Sequence, residues 1–216
     1  MKNIITITAL LAAGTTLASA TEFVWTSDSG TFSGFKDSSG KLVAINGDFS
    51  LEMTFQLQHY HEDCKIQLSP VAGEDKQGAF QLGFSGSRGQ VKYYSADNSP
   101  TNVQTGGHFS KQRVVNNVAT LKFNFSEYNS SANTYKMSIS YPTTWNASTD
   151  TFTGVSFGSK EVLWTSLVLG GTNAQPTVSS LKLTTGSYRV VPEPSAFGLL
   201  AGLGALALVG ARRRRR

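Results

Sequence analysis

The chain has 216 residues, 39% of them hydrophobic and 15% charged, with a formal net charge of +5. This length suits one domain between targeting segments, and the single cysteine, Cys64, excludes an internal disulfide scaffold. Lys2 and Arg212–Arg216 hold six of the nineteen basic residues and Glu193 one of the fourteen acids, so residues 21–191 carry thirteen of each and no basic patch for nucleic acid.

The N-terminus reads as a secretory signal peptide. Lys2 supplies a positive start, Ile4 to Ala13 an apolar run, and Ala18-Ser19-Ala20 a small-residue cleavage site before Thr21. Residues 1–20 are therefore expected to be removed during export through the Sec machinery, and the cleavage site argues against a retained anchor.

Residues 21–191 read as β throughout. Phe23 to Thr26 and Lys41 to Ile45 are short strand candidates on either side of a Gly/Ser-rich segment. Asn46-Gly47 is a turn signal and predicts a hairpin from Lys41–Ile45 into the next strand. That strand, Phe49 to Gln58, places apolar residues at every second position, so one face is buried and one is wet. Cys64 to Leu68, Ala79 to Phe84 and Gln90 to Tyr94 follow, with Cys64 expected as a buried small apolar residue. Asp97 to Gly107 has no apolar period and reads as a loop. Val118 to Phe125 and Tyr135 to Tyr141 alternate again and predict adjacent antiparallel strands around the loop 127–133. After the loop Pro142–Asp150 come Phe152 to Phe157, Val162 to Leu169, Val178 to Leu183 and Tyr188 to Val191, with Gly170-Gly171 as a break. Eleven or twelve short strands fit an all-β fold, an antiparallel two-sheet β-sandwich.

Phe49-Ser50-Leu51-Glu52-Met53-Thr54-Phe55 early in the body, and Leu167-Val168-Leu169-Gly170-Gly171 followed by Val178 to Leu183 late in it, resemble the opening and closing strands of the concanavalin A-like (laminin-G-like) superfamily. The resemblance implies a jelly roll. The central Trp-His-Val strand often seen in that superfamily has no counterpart in this chain.

The last 25 residues have three parts in fixed order: Pro192-Glu193-Pro194, an apolar run from Ser195 to Ala211, and Arg212, Arg213, Arg214, Arg215 and Arg216. The run is at the short end of what spans a bilayer as a transmembrane helix. Five arginines are costly to move through its core, so they halt translocation and stay cytoplasmic. This arrangement resembles the PEP-CTERM sorting signal of Gram-negative bacteria. The resemblance implies an inner-membrane precursor cut near Pro-Glu-Pro by an exosortase and delivered to the cell envelope, outer surface or extracellular matrix, where family members associate with exopolysaccharide. A plain C-terminal anchor is the alternative. The domain plan is thus 1–20 signal peptide, 21–191 β-sandwich, and 192–216 sorting signal.

No catalytic constellation stands out. Glycoside hydrolases need two carboxylates across the scissile bond, and Glu62-Asp63 and Glu74-Asp75 are neighbours that point to opposite faces of a strand. His59 and His61 share a strand face and are candidate metal ligands with Asp63 as a third, weighed against a polar strand end. His108 has no evident partner. Asp97-Asn98 is a weak calcium candidate, and no cofactor is expected. Trp164 sits in an apolar pattern and reads as core. Trp145 lies in a loop and is the candidate sugar platform, weighed against a residue capping the sandwich edge. The expected protein is a non-enzymatic envelope or matrix component, with a lectin-like carbohydrate-binding module as the alternative and a glycoside hydrolase behind it.

Overall fold

The structure, a computed structural model, describes residues 20–58, 63–70, 78–85, 88–94, 100–104, 114–142, 149–171 and 175–192. The strands are β1 (Thr21–Thr26), β2 (Val43–Ile45), β3 (Phe49–Gln56), β4 (Cys64–Ser69), β5 (Phe80–Ser85), β6 (Arg88–Tyr94) and β7 (Pro100–Gln104). They continue as β8 (Ala119–Asn129), β9 (Thr134–Ser140), β10 (Asp150–Val155), β11 (Ser166–Gly171), β12 (Thr177–Thr185) and β13 (Tyr188–Val190). A six-stranded sheet runs β1-β12-β3-β8-β9-β10, a five-stranded sheet runs β11-β4-β5-β6-β7, and β13 pairs with β2. All these pairings are antiparallel. The chain is the expected all-β, antiparallel two-sheet sandwich.

Alternation decides which face of each sheet turns inward. In β3, Phe49, Leu51, Met53 and Phe55 are buried while Ser50, Glu52, Thr54 and Gln56 are half-exposed. Its neighbours β12 and β8 bring Leu181, Leu183, Leu121 and Phe123 to the same side. Burying each such side chain stabilises the fold by about 1.5–3 kcal/mol. The opposing sheet contributes Ile66, Leu68, Phe80, Leu82, Phe84 and Val91. Rings bridge the layers: Phe80 meets Phe123 edge-on at 4.9 Å, and Phe55 lies 5.8 Å from Phe84. Phe157 and Trp164 seal one end, their ring centroids 5.6 Å apart. The Trp164 indole N–H donates to the Gly78 carbonyl at 3.0 Å, which removes the cost of burying it. Trp164 and Cys64 are both buried, as their sequence pattern indicates.

Four local expectations are overturned. The Asn46-Gly47 hairpin does not form, because β2 pairs with β13 and bridges Val162, whereas β3 pairs with β12 and β8. Asn46 donates its N–H to the Ser187 carbonyl, and the Thr185 hydroxyl donates to the Asp48 carbonyl, so this stretch carries the chain from one sheet to the other. Within the expected loop 97–107, Pro100–Gln104 is an edge strand. Among the described residues it pairs antiparallel with β6, and Pro100 stands at its first position, where a missing donor is tolerated. Gly170 and Gly171 lie inside β11 rather than breaking it. A side-chain carbon at Gly170 would stand 2.9 Å from Lys65 Cε, so the glycine makes room for the lysine stem across the strand pair. Finally, β8 runs to Asn129, past the expected loop start, through a register shift at Glu127, whose φ is +54°.

Tyr135 is buried against Phe49, Phe125 and Phe157, with its ring stacked on Tyr128 at 4.7 Å, and its hydroxyl has no hydrogen-bond partner among the described residues. Burial foremost, then the neighbouring Tyr128 and Asp48, pushes its phenol well above the ordinary range. A Tyr135→Phe variant removes an unsatisfied group and is expected to match or exceed wild-type stability by up to about 1 kcal/mol. The unfolded phenol ionises near pH 10 while the folded one stays protonated, so wild type loses stability above about pH 10 and the variant loses less. Urea titrations at pH 7 and pH 10.5 measure both effects. Phe123→Ala, by contrast, should cost about 3–5 kcal/mol.

Candidate functional site

The two outer faces of the sandwich differ in chemistry. On the six-stranded sheet, charges alternate and pair: Lys182 Nζ lies 3.6 Å from Glu22 and 3.8 Å from Glu52, and Lys136 reaches Glu127 at 2.8 Å. Thr54 and Thr120 hydrogen-bond across β3 and β8 at 2.9 Å. This is a solvated surface on which most of the outward charges have partners.

The outer face of the five-stranded sheet holds a cleft of about 500 Å³. Pairing register builds it. Gly170, Lys65, Gly83 and Gln90 line up across β11, β4, β5 and β6, and the next row on the same face is Val168, Gln67, Gln81 and Lys92. Because Cys64, Ile66 and Leu68 turn inward, Lys65 and Gln67 must turn outward. Phe80, Leu82 and Phe84 do the same for Gln81 and Gly83. Asp63, Lys65, Gln81, Gly83, Ser85, Gln90 and Lys92 are among the residues that line the cleft.

Gly83 forms the floor. A side-chain carbon there would come within 3.1 Å of Gln81 Nε2, and glycine inside a strand commonly marks close approach of a ligand or another backbone. The Gln81 amide is fixed, since the Tyr94 hydroxyl donates to its Oε1 at 3.0 Å. Burial raises the Tyr94 phenol, keeping it a donor. Behind it, buried Gln67 donates from Nε2 to the Ser69 hydroxyl at 2.7 Å, while Gln67 Oε1 has no donor among the described residues. Lys65 and Lys92 are half-buried, and neither forms an ion pair among the described residues. The cleft therefore presents the fixed amide of Gln81, the amide of Gln90 and two ammonium groups around Gly83. Such a set suits hydroxyls and anions.

A second feature lies at the end of the body. β13 pairs with β2, Val191 donates its N–H to the Leu42 carbonyl at 2.8 Å, and Pro192 follows exposed. Arg189 grips Glu161 with two hydrogen bonds, at 2.8 and 2.6 Å, and Tyr188 meets Phe23 edge-on at 4.9 Å. The Arg189 hydrogen bond holds the Glu161 carboxyl below its usual range, and Arg189 is raised in turn.

Of the residues singled out by sequence, Pro192 is placed at this junction. Glu193, Pro194, Arg212–Arg216, the apolar run 195–211, His59, His61, His108, Asp97-Asn98, Trp145 and residues 1–19 lie outside the described residues. Among the described residues, no helix is long and apolar enough to cross a membrane, and no three His, Cys, Asp or Glu side chains are grouped to hold a metal. The cleft residues were missed because each is an ordinary outward polar position of its own strand. The available signal was the use of long Lys and Gln side chains around a mid-strand glycine in β4, β5 and β6.

The fold defines an antiparallel β-sandwich. Solved structures with a loose likeness include lectin II from Ulex europaeus, with a TM-score of 0.37 and 12% identity over 72% of this chain and 77% of that one. Sheep galectin-11 gives 0.35 and 13% over 65% and 96%. An alginate lyase from Pseudomonas aeruginosa gives 0.38 and 12% over 74% and 72%. No curated protein matches the chain. The PEP-CTERM protein-sorting motif matches residues 190–215. The chain thus carries a sorting motif that implies recognition by an exosortase and an exported, membrane-anchored precursor.

The Arg189–Glu161 pair gives a pH signature. A carboxyl held low stabilises the fold above its unfolded value, near pH 4.3, and that contribution disappears as pH falls through the lower folded value. Both groups are substantially exposed, so the effect is small. Arg189→Leu should lower the melting temperature slightly at pH 7 and leave it equal to wild type at pH 2.5, as read by thermal circular dichroism.

Proposed function

We propose that this chain is a cell-envelope or extracellular-matrix protein of a Gram-negative bacterium, sorted by an exosortase, whose body acts without enzymatic activity and associates with exopolysaccharide. The observation that carries this reading is the sorting motif at residues 190–215. The motif begins at the last residue of β13, so the ordered body reaches the processing element without an intervening spacer. In this reading the signal peptide directs Sec export, the run Ser195–Ala211 holds the precursor in the inner membrane, and Arg212–Arg216 stay cytoplasmic.

The chemistry of the cleft supports the polysaccharide partner, since side-chain amides and ammonium groups match hydroxyl-rich polymers. Among the described residues Asp63 is the one carboxylate that lines the cleft, and Glu22, Glu52, Glu127 and Glu161 form ion pairs away from it; glycoside hydrolysis uses two carboxylates, so this set fits binding better than hydrolysis. Trp145 remains a proposed stacking platform for a sugar ring.

Processing is the test. Glu193→Ala, or deletion of Arg212–Arg216, should leave full-length precursor in the inner membrane, seen by fractionation and intact mass. A mature wild-type protein that still ends at Arg216 would overturn the sorting step. Release of oligosaccharides from any polysaccharide incubated with the purified protein would overturn the non-enzymatic body.

A further inference from the structure

Resting on the polysaccharide reading above, we propose that the cleft selects acidic polymers, namely polysaccharides bearing carboxylate groups, through Lys65 and Lys92. Both ammonium groups lie on the same face of the five-stranded sheet, two strands apart and one row displaced. Standard strand spacing and rise put their Cα atoms about 12 Å apart, a span that one short oligosaccharide can bridge. Among the described residues the charges that line the cleft are these two lysines and Asp63, so the described lining is net positive within a body whose thirteen basic and thirteen acidic residues balance.

The comparison with Lys182 sharpens the point. That lysine, also on an outer sheet face, lies beside two glutamates, whereas Lys65 and Lys92 have no carboxylate partner among the described residues. Both lysines are half-buried and the Lys65 stem lies against Gly170, which limits the conformational freedom lost when an anion binds. Gln90 stands beside Gly83, and Gln81 stands beside Lys92 with its carbonyl already committed to Tyr94. The Gln81 amide nitrogen is left to donate. Donors thus dominate the described lining: two ammoniums and an amide N–H₂ face the opening, a set that favours anionic oxygens. None of the described lining side chains presents an exposed aromatic ring, so binding here is polar and salt-sensitive.

The full-length chain in detergent is titrated with three polymers of matched length: oligogalacturonate, a neutral glucan and dextran sulfate. Oligogalacturonate should bind, weaken as salt rises, and lose about tenfold in affinity with either Lys65→Gln or Lys92→Gln, the usual loss for a hydrogen bond to a charged group. Lys182→Gln, on the opposite face, should bind as wild type does. Gly83→Val fills the floor without altering charge and should also abolish binding, with an unchanged circular dichroism spectrum showing that it folds. Equal binding of the neutral glucan, surviving in the Lys65→Gln/Lys92→Gln double variant, overturns acidic selectivity but keeps the polysaccharide reading. Equal or tighter binding of dextran sulfate, lost in the same variants, overturns the carboxylate class. Failure of all three polymers to bind overturns both this proposal and the polysaccharide partner.

Discussion

Everything in this molecule depends on apolar contact between two sheets that no covalent bond ties together. A chain with one cysteine must hold its layers by packing, and here it does so largely with rings. Phe49 stacks on Phe125 at 4.4 Å within one sheet, and Phe80 reaches across to both Phe123 and Phe125. Once those rings are committed inward, strand geometry leaves no choice about the rest. Every alternate residue must face out, and the composition of those positions decides what each surface can do.

That division gives the two faces different chemistry. The six-stranded sheet spends its outward positions on threonine pairs and lysine–glutamate neighbours that satisfy one another. Outward positions of β4, β5 and β6 include glutamine, lysine and glycine, with Gln67 and Gln81 buried and Lys65, Gln90 and Lys92 half-exposed. Tyr94 holds the Gln81 carbonyl. A buried polar network of this kind fixes side-chain positions before any ligand arrives, which lowers the entropy lost on binding.

How much of this was legible in the sequence depended on whether a strand had one wet face and a strong apolar period. β3, β8, β9 and β12 have both, and their inward residues follow directly from alternation. β7 has neither, because an edge strand needs only backbone pairing to a neighbour and leaves little trace in PTNVQ. Asn46-Gly47 misled because a turn signal records local backbone preference, while β2 and β3 are separated by long-range pairing to β13 and β12. The cleft was not legible for a related reason. Lys65, Gln81, Gln90 and Lys92 become one surface only through register, and register is a property of pairs of strands.

The pairing of β12 has a consequence for the order of assembly. β12 lies between β1 and β3 in the six-stranded sheet, yet it comes almost last in the chain, and β13 closes onto β2 just after it. A polypeptide crossing a membrane from its N-terminus would present β1 and β3 with an empty slot between them for most of its passage. Such distant pairing folds slowly and leaves unpaired edges exposed meanwhile. The slot is filled by residues 177–185, which stand next to the sorting motif in sequence. The strand that completes the six-stranded sheet and the sorting motif are therefore close neighbours in the chain, so the sheet's central pairing depends on the residues that lead into the motif.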